Sequence, residues 1–166
     1  MLEFRITKYD PALRDANGAF LGDDWIFFGE IGETFNGKEL TIAEYERVER
    51  AYVMTAVQFL RDSGIQSLVV SGLENYSDQP VVLANGSSLS LDQIASTLPS
   101  LLRGEFWCRL EGPESFVHIG YDHYMYVGTP SDSTAARQFA ASQGLFVEPF
   151  ESPYKDDGEE CDDSAV

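Results

Sequence analysis

Lysine, histidine and cysteine are scarce in this chain, and each scarcity closes a class of function. The 166 residues include two His, two Cys and only three Lys. A structural zinc site needs about four nitrogen or sulfur ligands at suitable spacing. Cys108, His118 and His123 supply three at best, no CxxC or HxxxH pattern occurs, and no metal is expected. Cys108 lies in an apolar run and reads as a small buried side chain, whereas Cys161 lies in an acidic stretch. A bridge would tie a strand to a mobile tail, so the expectation is two free thiols and a reducing compartment. Long apolar runs are missing too: nothing approaches the roughly 20 residues of a membrane span. The opening MLEFRITKYD carries charge every few residues, unlike a signal peptide, so the expected location is cytoplasmic. Gly29-Glu30-Ile31-Gly32 lacks a third glycine and sets acid where a phosphate would lie, so no nucleotide cofactor is expected. No GxSxG elbow and no spaced DxDxDG calcium loop occurs, and no catalytic residue is assigned.

What the chain has in excess is acid. Twenty-eight Asp and Glu face eleven Lys and Arg, a formal net charge of −17. Such a field repels nucleic acid and anionic membrane and attracts a basic protein partner. The chain is nonetheless built to fold. It is 43% hydrophobic, with eleven Phe, eight Tyr and two Trp, too apolar and aromatic for a disordered chain. The length suits one globular domain over 1–150. Residues 151–166, rich in Asp and Glu with Lys155 as the one base, are expected to form a disordered tail.

Periodicity supplies the elements. Leu2 to Tyr9 alternates as a half-buried strand ended by Asp10-Pro11, and Trp25 to Phe28 is a short strand or helical turn. Residues 29–40 read as mostly irregular. Thr41-Ile42-Ala43-Glu44 is a capping-box pattern opening an amphipathic helix that Gly64 closes. Ile65 to Leu73 is a strand, and Val81-Val82-Leu83 is read as another. Ser90-Leu91-Asp92-Gln93 opens a second helix, which Pro99 should kink or split. Phe106 to Leu110, Phe116 to Tyr121 and Tyr124 to Gly128 read as strands, Ser133 to Gln143 as a third helix, and Leu145 to Phe150 as an edge strand bearing Pro149. The sum is an α+β fold: a mainly antiparallel sheet packed against about three helices in a single-domain sandwich.

Carboxylates beside aromatics suggest where a basic partner would dock, acid for steering and rings for desolvated anchors. Asp23 and Asp24 precede Trp25, Glu30 and Glu33 follow, Glu111 and Glu114 flank a turn, and Asp122 and His123 tip a hairpin bearing Tyr121, Tyr124 and Tyr126. Pairing Tyr121 with Tyr124 sets Ile119 opposite Tyr126 and Val117 opposite Gly128. The tyrosines then share a face with Val117 and Ile119, and Met125 and Val127 share the other. If the Met125 face is core, a tyrosine patch is exposed; otherwise the rings pack inside.

The stretches FRITKYDPALRD, LTIAEYERVERAYV and FVHIGYDHYMYVG resemble the immunity proteins of bacterial polymorphic and contact-dependent toxin systems. That resemblance implies a cytoplasmic inhibitor of a cognate toxin, a nuclease or other nucleic-acid-modifying enzyme, blocked by occlusion. Three other readings stand beside it: a nucleic-acid mimic that inhibits a host DNA-processing enzyme, adaptation to high salt, and an enzyme dependent on His118 or His123.

Overall fold

The computed structural model describes residues 1–155. Nine strands and three helices form an α+β fold: β1 (Leu2–Thr7), β2 (Thr34–Phe35), β3 (Lys38–Glu39), α1 (Ile42–Asp62), β4 (Ser67–Glu74), β5 (Ser88–Ser90), α2 (Leu91–Leu102), β6 (Trp107–Gly112), β7 (Ser115–Ile119), β8 (Tyr124–Thr129), α3 (Thr134–Ser142) and β9 (Phe146–Pro149). Seven strands make one antiparallel sheet in the order β5-β4-β6-β7-β8-β1-β9, and β2 and β3 pair separately.

One face of the large sheet carries Phe4, Ile6, Leu68, Val70, Cys108, Leu110, Val117, Ile119, Met125 and Val127, all buried. The helices cover this face, with α2 and α3 both against α1. Phe59 of α1 stacks on Phe4 at 5.1 Å between ring centres. Ion pairs and polar contacts hold the helices in place. Glu49 of α1 takes both arms of the Arg103 guanidinium at the end of α2, at 2.9 and 3.0 Å. Ser133, which caps α3, donates to Asp62 at the end of α1 at 2.5 Å.

The helix starts follow the sequence signals, with one difference. Thr41 accepts from the Glu44 amide, but the Glu44 carboxylate turns to Arg47, so only half the box forms. Ser90 and Gln93 make both halves. Gly64 takes the left-handed φ of +73° after α1. Pro99 lies inside α2, which continues past it to Leu102.

Three local expectations are corrected. Residues 81–83 form no strand, and Val82 is fully exposed; the strand here is β5, too short for a periodic signal. The supposedly irregular 29–40 stretch holds the β2–β3 hairpin, turned by Asn36-Gly37 at φ +48° and +77°. An Asn-Gly pair is the favoured type I′ turn, because both central residues need positive φ.

The third correction concerns register. Ile119 pairs with Met125, His118 with Tyr126 and Val117 with Val127. The β7–β8 turn has three residues, Tyr121, Asp122 and His123; the Gly120 amide donates to the Tyr124 carbonyl at 2.7 Å, and His123 sits at φ +57°. One extra residue moves one strand's entire side-chain set to the other face. Val117, Ile119, Met125 and Val127 thereby all meet the helices, and Tyr126 joins Phe116 and His118 on the outer face.

That outer face is covered as well. Residues 151–155, placed at sequence level in the tail, run with Phe150 across it as a strap. Phe150 and Tyr154 pack on Tyr126, Tyr154 also meets Trp107, and Lys155 pairs with Glu3 at 2.6 Å. The rest of the expected tail, with Cys161, lies outside the described residues.

Candidate functional site

Two clusters hold several of the residues singled out in the sequence, and one exposed cleft joins Tyr121 to residues that were not. The first cluster lies beneath the hairpin tip. His123 is buried against the Trp25, Tyr45 and Tyr52 rings. Its Nδ1 lies 3.2 Å from the Ile26 carbonyl, which can only accept, so Nδ1 carries the proton and Nε2 faces the Tyr45 hydroxyl at 3.4 Å. Burial, with the Lys8 charge nearby, pushes its pKa down to about 4. The Lys8 ammonium lies 4.0 and 4.1 Å over Trp25 and Tyr9 and 2.7 Å from Asp24; burial outweighs that carboxylate and lowers its pKa to about 8. Tyr9 donates to the Asp122 carbonyl at 2.9 Å and Tyr52 to that of His123 at 2.6 Å. Hydroxyls from two other elements therefore fix the tip from below.

The second cluster lies under the strap. His118 is fully buried, stacked on Phe116 at 4.3 Å between ring centres. Its Nε2 donates to Glu111 at 3.0 Å and its Nδ1 accepts from the Ser152 hydroxyl at 2.7 Å. Burial holds its pKa below the ordinary value, against the pull of Glu111. A serine, a histidine and a carboxylate in series is the set used to activate a nucleophile. Here Ser152 is only 5% exposed, its hydroxyl faces inward and its oxygen accepts the Tyr154 amide at 3.2 Å. The series latches the strap to the sheet.

The expected docking residues thus divide. Trp25, His123 and Tyr126 are buried, and Tyr124 is half-buried against Tyr9, so these cannot serve as exposed anchors in this conformation. The exposed tyrosine face fails even though Met125 is core, because the strap covers Tyr126 and only Tyr121 stays outside. Asp24 is occupied by Lys8, Asp23 by the Asn36 amide at 2.6 Å, and Glu111 by His118. Glu30 accepts from the Ile26 amide at 2.6 Å and contacts that of Phe27. Glu33 and Glu114 are exposed, at separate places in the chain.

Exposed aromatics gather elsewhere. Phe27, Tyr76 and Tyr121, exposed by 50, 57 and 70%, line one cleft of about 360 Å³ between the hairpin tip and the end of α2. Leu101, Phe106, Trp107 and Ile119 form its apolar lining, and the Trp107 indole is spent on the Ile119 carbonyl at 2.9 Å. Phe106 also borders a neighbouring groove of about 610 Å³, lined by Val81, Val82 and Leu83 on one side and α2 on the other. Carboxylates accompany these rings along the chain. Glu30 holds the Phe27 amide, Asp122 follows Tyr121, and the Tyr76 hydroxyl donates to Glu74. Tyr121 and Asp122 belong to the sequence-level set. Phe27, Tyr76 and Glu74 were missed, because a ring exposed on an irregular loop leaves no periodic trace.

Charge points the same way. Among the described residues eight of the eleven bases are ion-paired to seven acids, Arg5 and Arg14 sharing Glu148. The carboxylates without an ion pair among the described residues, including Glu74 at the Tyr76 hydroxyl, Asp122 next to Tyr121 in the chain and Glu105 on the neighbouring groove, leave an excess of negative charge. Among the described residues no group of three His, Cys, Asp or Glu is placed to hold a metal ion, and no helix is long and apolar enough to cross a membrane. Comparison with protein-family models, with curated proteins and with solved structures returned no match.

Proposed function

We propose that this protein is an acidic binding protein that neutralises a basic protein partner, in the manner of a toxin immunity protein that occludes a nucleic-acid-modifying enzyme. The observation that carries the reading is the cleft wall, where three exposed aromatic rings share one cleft and the Tyr76 hydroxyl donates to the Glu74 carboxylate. Rings of this kind bury large area on binding at small entropic cost, and unpaired acids around them steer a basic surface into contact. The tip bearing Tyr121 is held from beneath by Tyr9 and Tyr52, which lowers the cost of ordering it on binding. A nucleic-acid-processing enzyme presents a basic groove for phosphate, and a surface of net negative charge competes for it.

The test uses the product of the gene adjacent to this one. Stoichiometric inhibition of its activity, with association that slows as salt rises, is the expected result. Asp122→Lys should slow association severalfold and leave the melting temperature unchanged, since the Asp122 side chain is exposed and makes no ion pair among the described residues. Asp24→Lys is the wrong probe, because it sets a second ammonium against buried Lys8 and disturbs the fold. A neighbouring product that neither binds nor is inhibited defeats the immunity reading. The Ser152–His118–Glu111 series favours a competing reading as a hydrolytic enzyme, and Ser152→Ala separates the two. A latch predicts lower stability, by about 1–3 kcal/mol for a buried imidazole nitrogen left unpaired. An enzyme predicts lost turnover at full stability.

A further inference from the structure

We infer that the cleft beside the hairpin tip reads arginine: it takes one guanidinium from the basic partner, with Glu74 as counter-ion and the Tyr76 and Tyr121 rings as walls. The inference rests on the binding reading above and names the side chain recognised.

The argument comes from how this molecule houses its own guanidinium groups. Arg103 is bound by the Glu49 carboxylate and lies 4.8 Å from the Phe28 ring centre and 5.7 Å from that of Tyr45. Arg5 is bound by Glu148 at 2.8 Å and lies 3.8 Å over Phe150 and 5.2 Å from the Tyr124 ring centre. Each is one carboxylate with two rings. Glu74, Tyr76 and Tyr121 repeat that set at the surface: the Tyr76 hydroxyl donates to Glu74 and lies 3.4 Å from the Tyr121 hydroxyl. No ion pair occupies Glu74 among the described residues. Arg103 borders the same cleft, but its guanidinium is already committed to Glu49.

The chemistry selects arginine over lysine. A guanidinium is planar, stacks on ring faces and offers a fork of donors to a carboxylate; an ammonium is compact and strongly hydrated, and loses more on entering an apolar-floored cleft. Glu74 and Asp122 repel phosphate and carboxylate ligands. The adjoining groove along Val81, Val82 and Leu83 is apolar and open, which suits the chain on either side of the arginine rather than a free amino acid. The occupant is therefore an arginine within a polypeptide.

The test titrates the capped peptide acetyl-Leu-Arg-Leu-amide, and its lysine counterpart, into the full chain while the ring signals of Tyr76, Tyr121 and Trp107 are followed by NMR. The arginine peptide should shift the Tyr76 and Tyr121 rings and bind at least about fivefold more tightly than the lysine peptide. Glu74→Gln and Tyr121→Ala should each remove that preference without altering the circular dichroism spectrum. Equal affinity for the two peptides, no shift from either at about 10 mM, or a preference that survives Glu74→Gln overturns the inference. The two proposals fail separately. A basic partner bound equally well by Glu74→Gln sinks the pocket and keeps the function, whereas arginine selectivity with no basic partner keeps the pocket and sinks the function.

Discussion

Both histidines of this protein are buried neutral, and that ties its stability to pH. His123 titrates at about 4 when folded, below its ordinary value of 6.5, so the unfolded chain takes up its proton first as the pH falls. The stability it contributes is complete above pH 6.5 and is lost between there and about pH 4. For a shift of this size the loss is roughly 3 kcal/mol. His118, also depressed by burial, adds a loss of the same sign as the pH falls below its ordinary value. The urea midpoint should therefore drop measurably between pH 6.5 and 4.5, before most carboxylates titrate. His123→Asn keeps a residue that tolerates positive φ and removes the titration. It should flatten this slope, leaving the His118 share, at the expense of lower stability at pH 7 from the lost ring packing. An unchanged slope would contradict the neutral state of the imidazole. At this scale the sequence was least legible. Trp25 and Tyr121 are both large, aromatic and next to Asp, yet one is core and the other solvent-exposed, because the difference is made by what packs on each from distant elements.

Elements were read well where their signal is local. The caps at Thr41 and Ser90 and the stripe of α1 depend on residues three or four apart, so they survive without knowledge of the fold. The hairpin failed for the opposite reason. Whether residues 121–124 turn in two residues or three depends on His123 accepting a left-handed backbone, and it does so with Trp25, Tyr45 and Tyr52 packed around its ring. A contact from residue 25 thus sets the register of a turn near residue 122. Asn36-Gly37 was a local signal that went unread. Gly37→Ala should lower stability by about 1 kcal/mol, since alanine is strained at φ +77°, and hydrogen exchange should quicken in β2 and β3 rather than in the large sheet. A loss spread over the whole sheet would mean that the small hairpin is part of the main cooperative unit.

For the molecule as a whole, the charge imbalance outlasts the ion pairs. Among the described residues seven acids absorb eight bases, and the acids left over repel one another. Added salt should therefore stabilise the isolated protein: the melting temperature should rise by several degrees between low salt and about 0.5 M potassium chloride, as screening relaxes the repulsion. A fall would show that the pairs outweigh it. The same salt should weaken capture of a basic partner, so stability and binding move in opposite directions. One feature of the sheet also governs how the chain is made. β1 lies between β8 and β9, so Leu2 meets Thr129 and Phe4 meets Pro149. β1 therefore waits for β8 and β9, which are synthesised much later, before either of its edges is satisfied. Until then its apolar face has no completed sheet to join, and a cell that stalls translation before residue 124 is left with a nascent segment fit for chaperone custody rather than for partial activity.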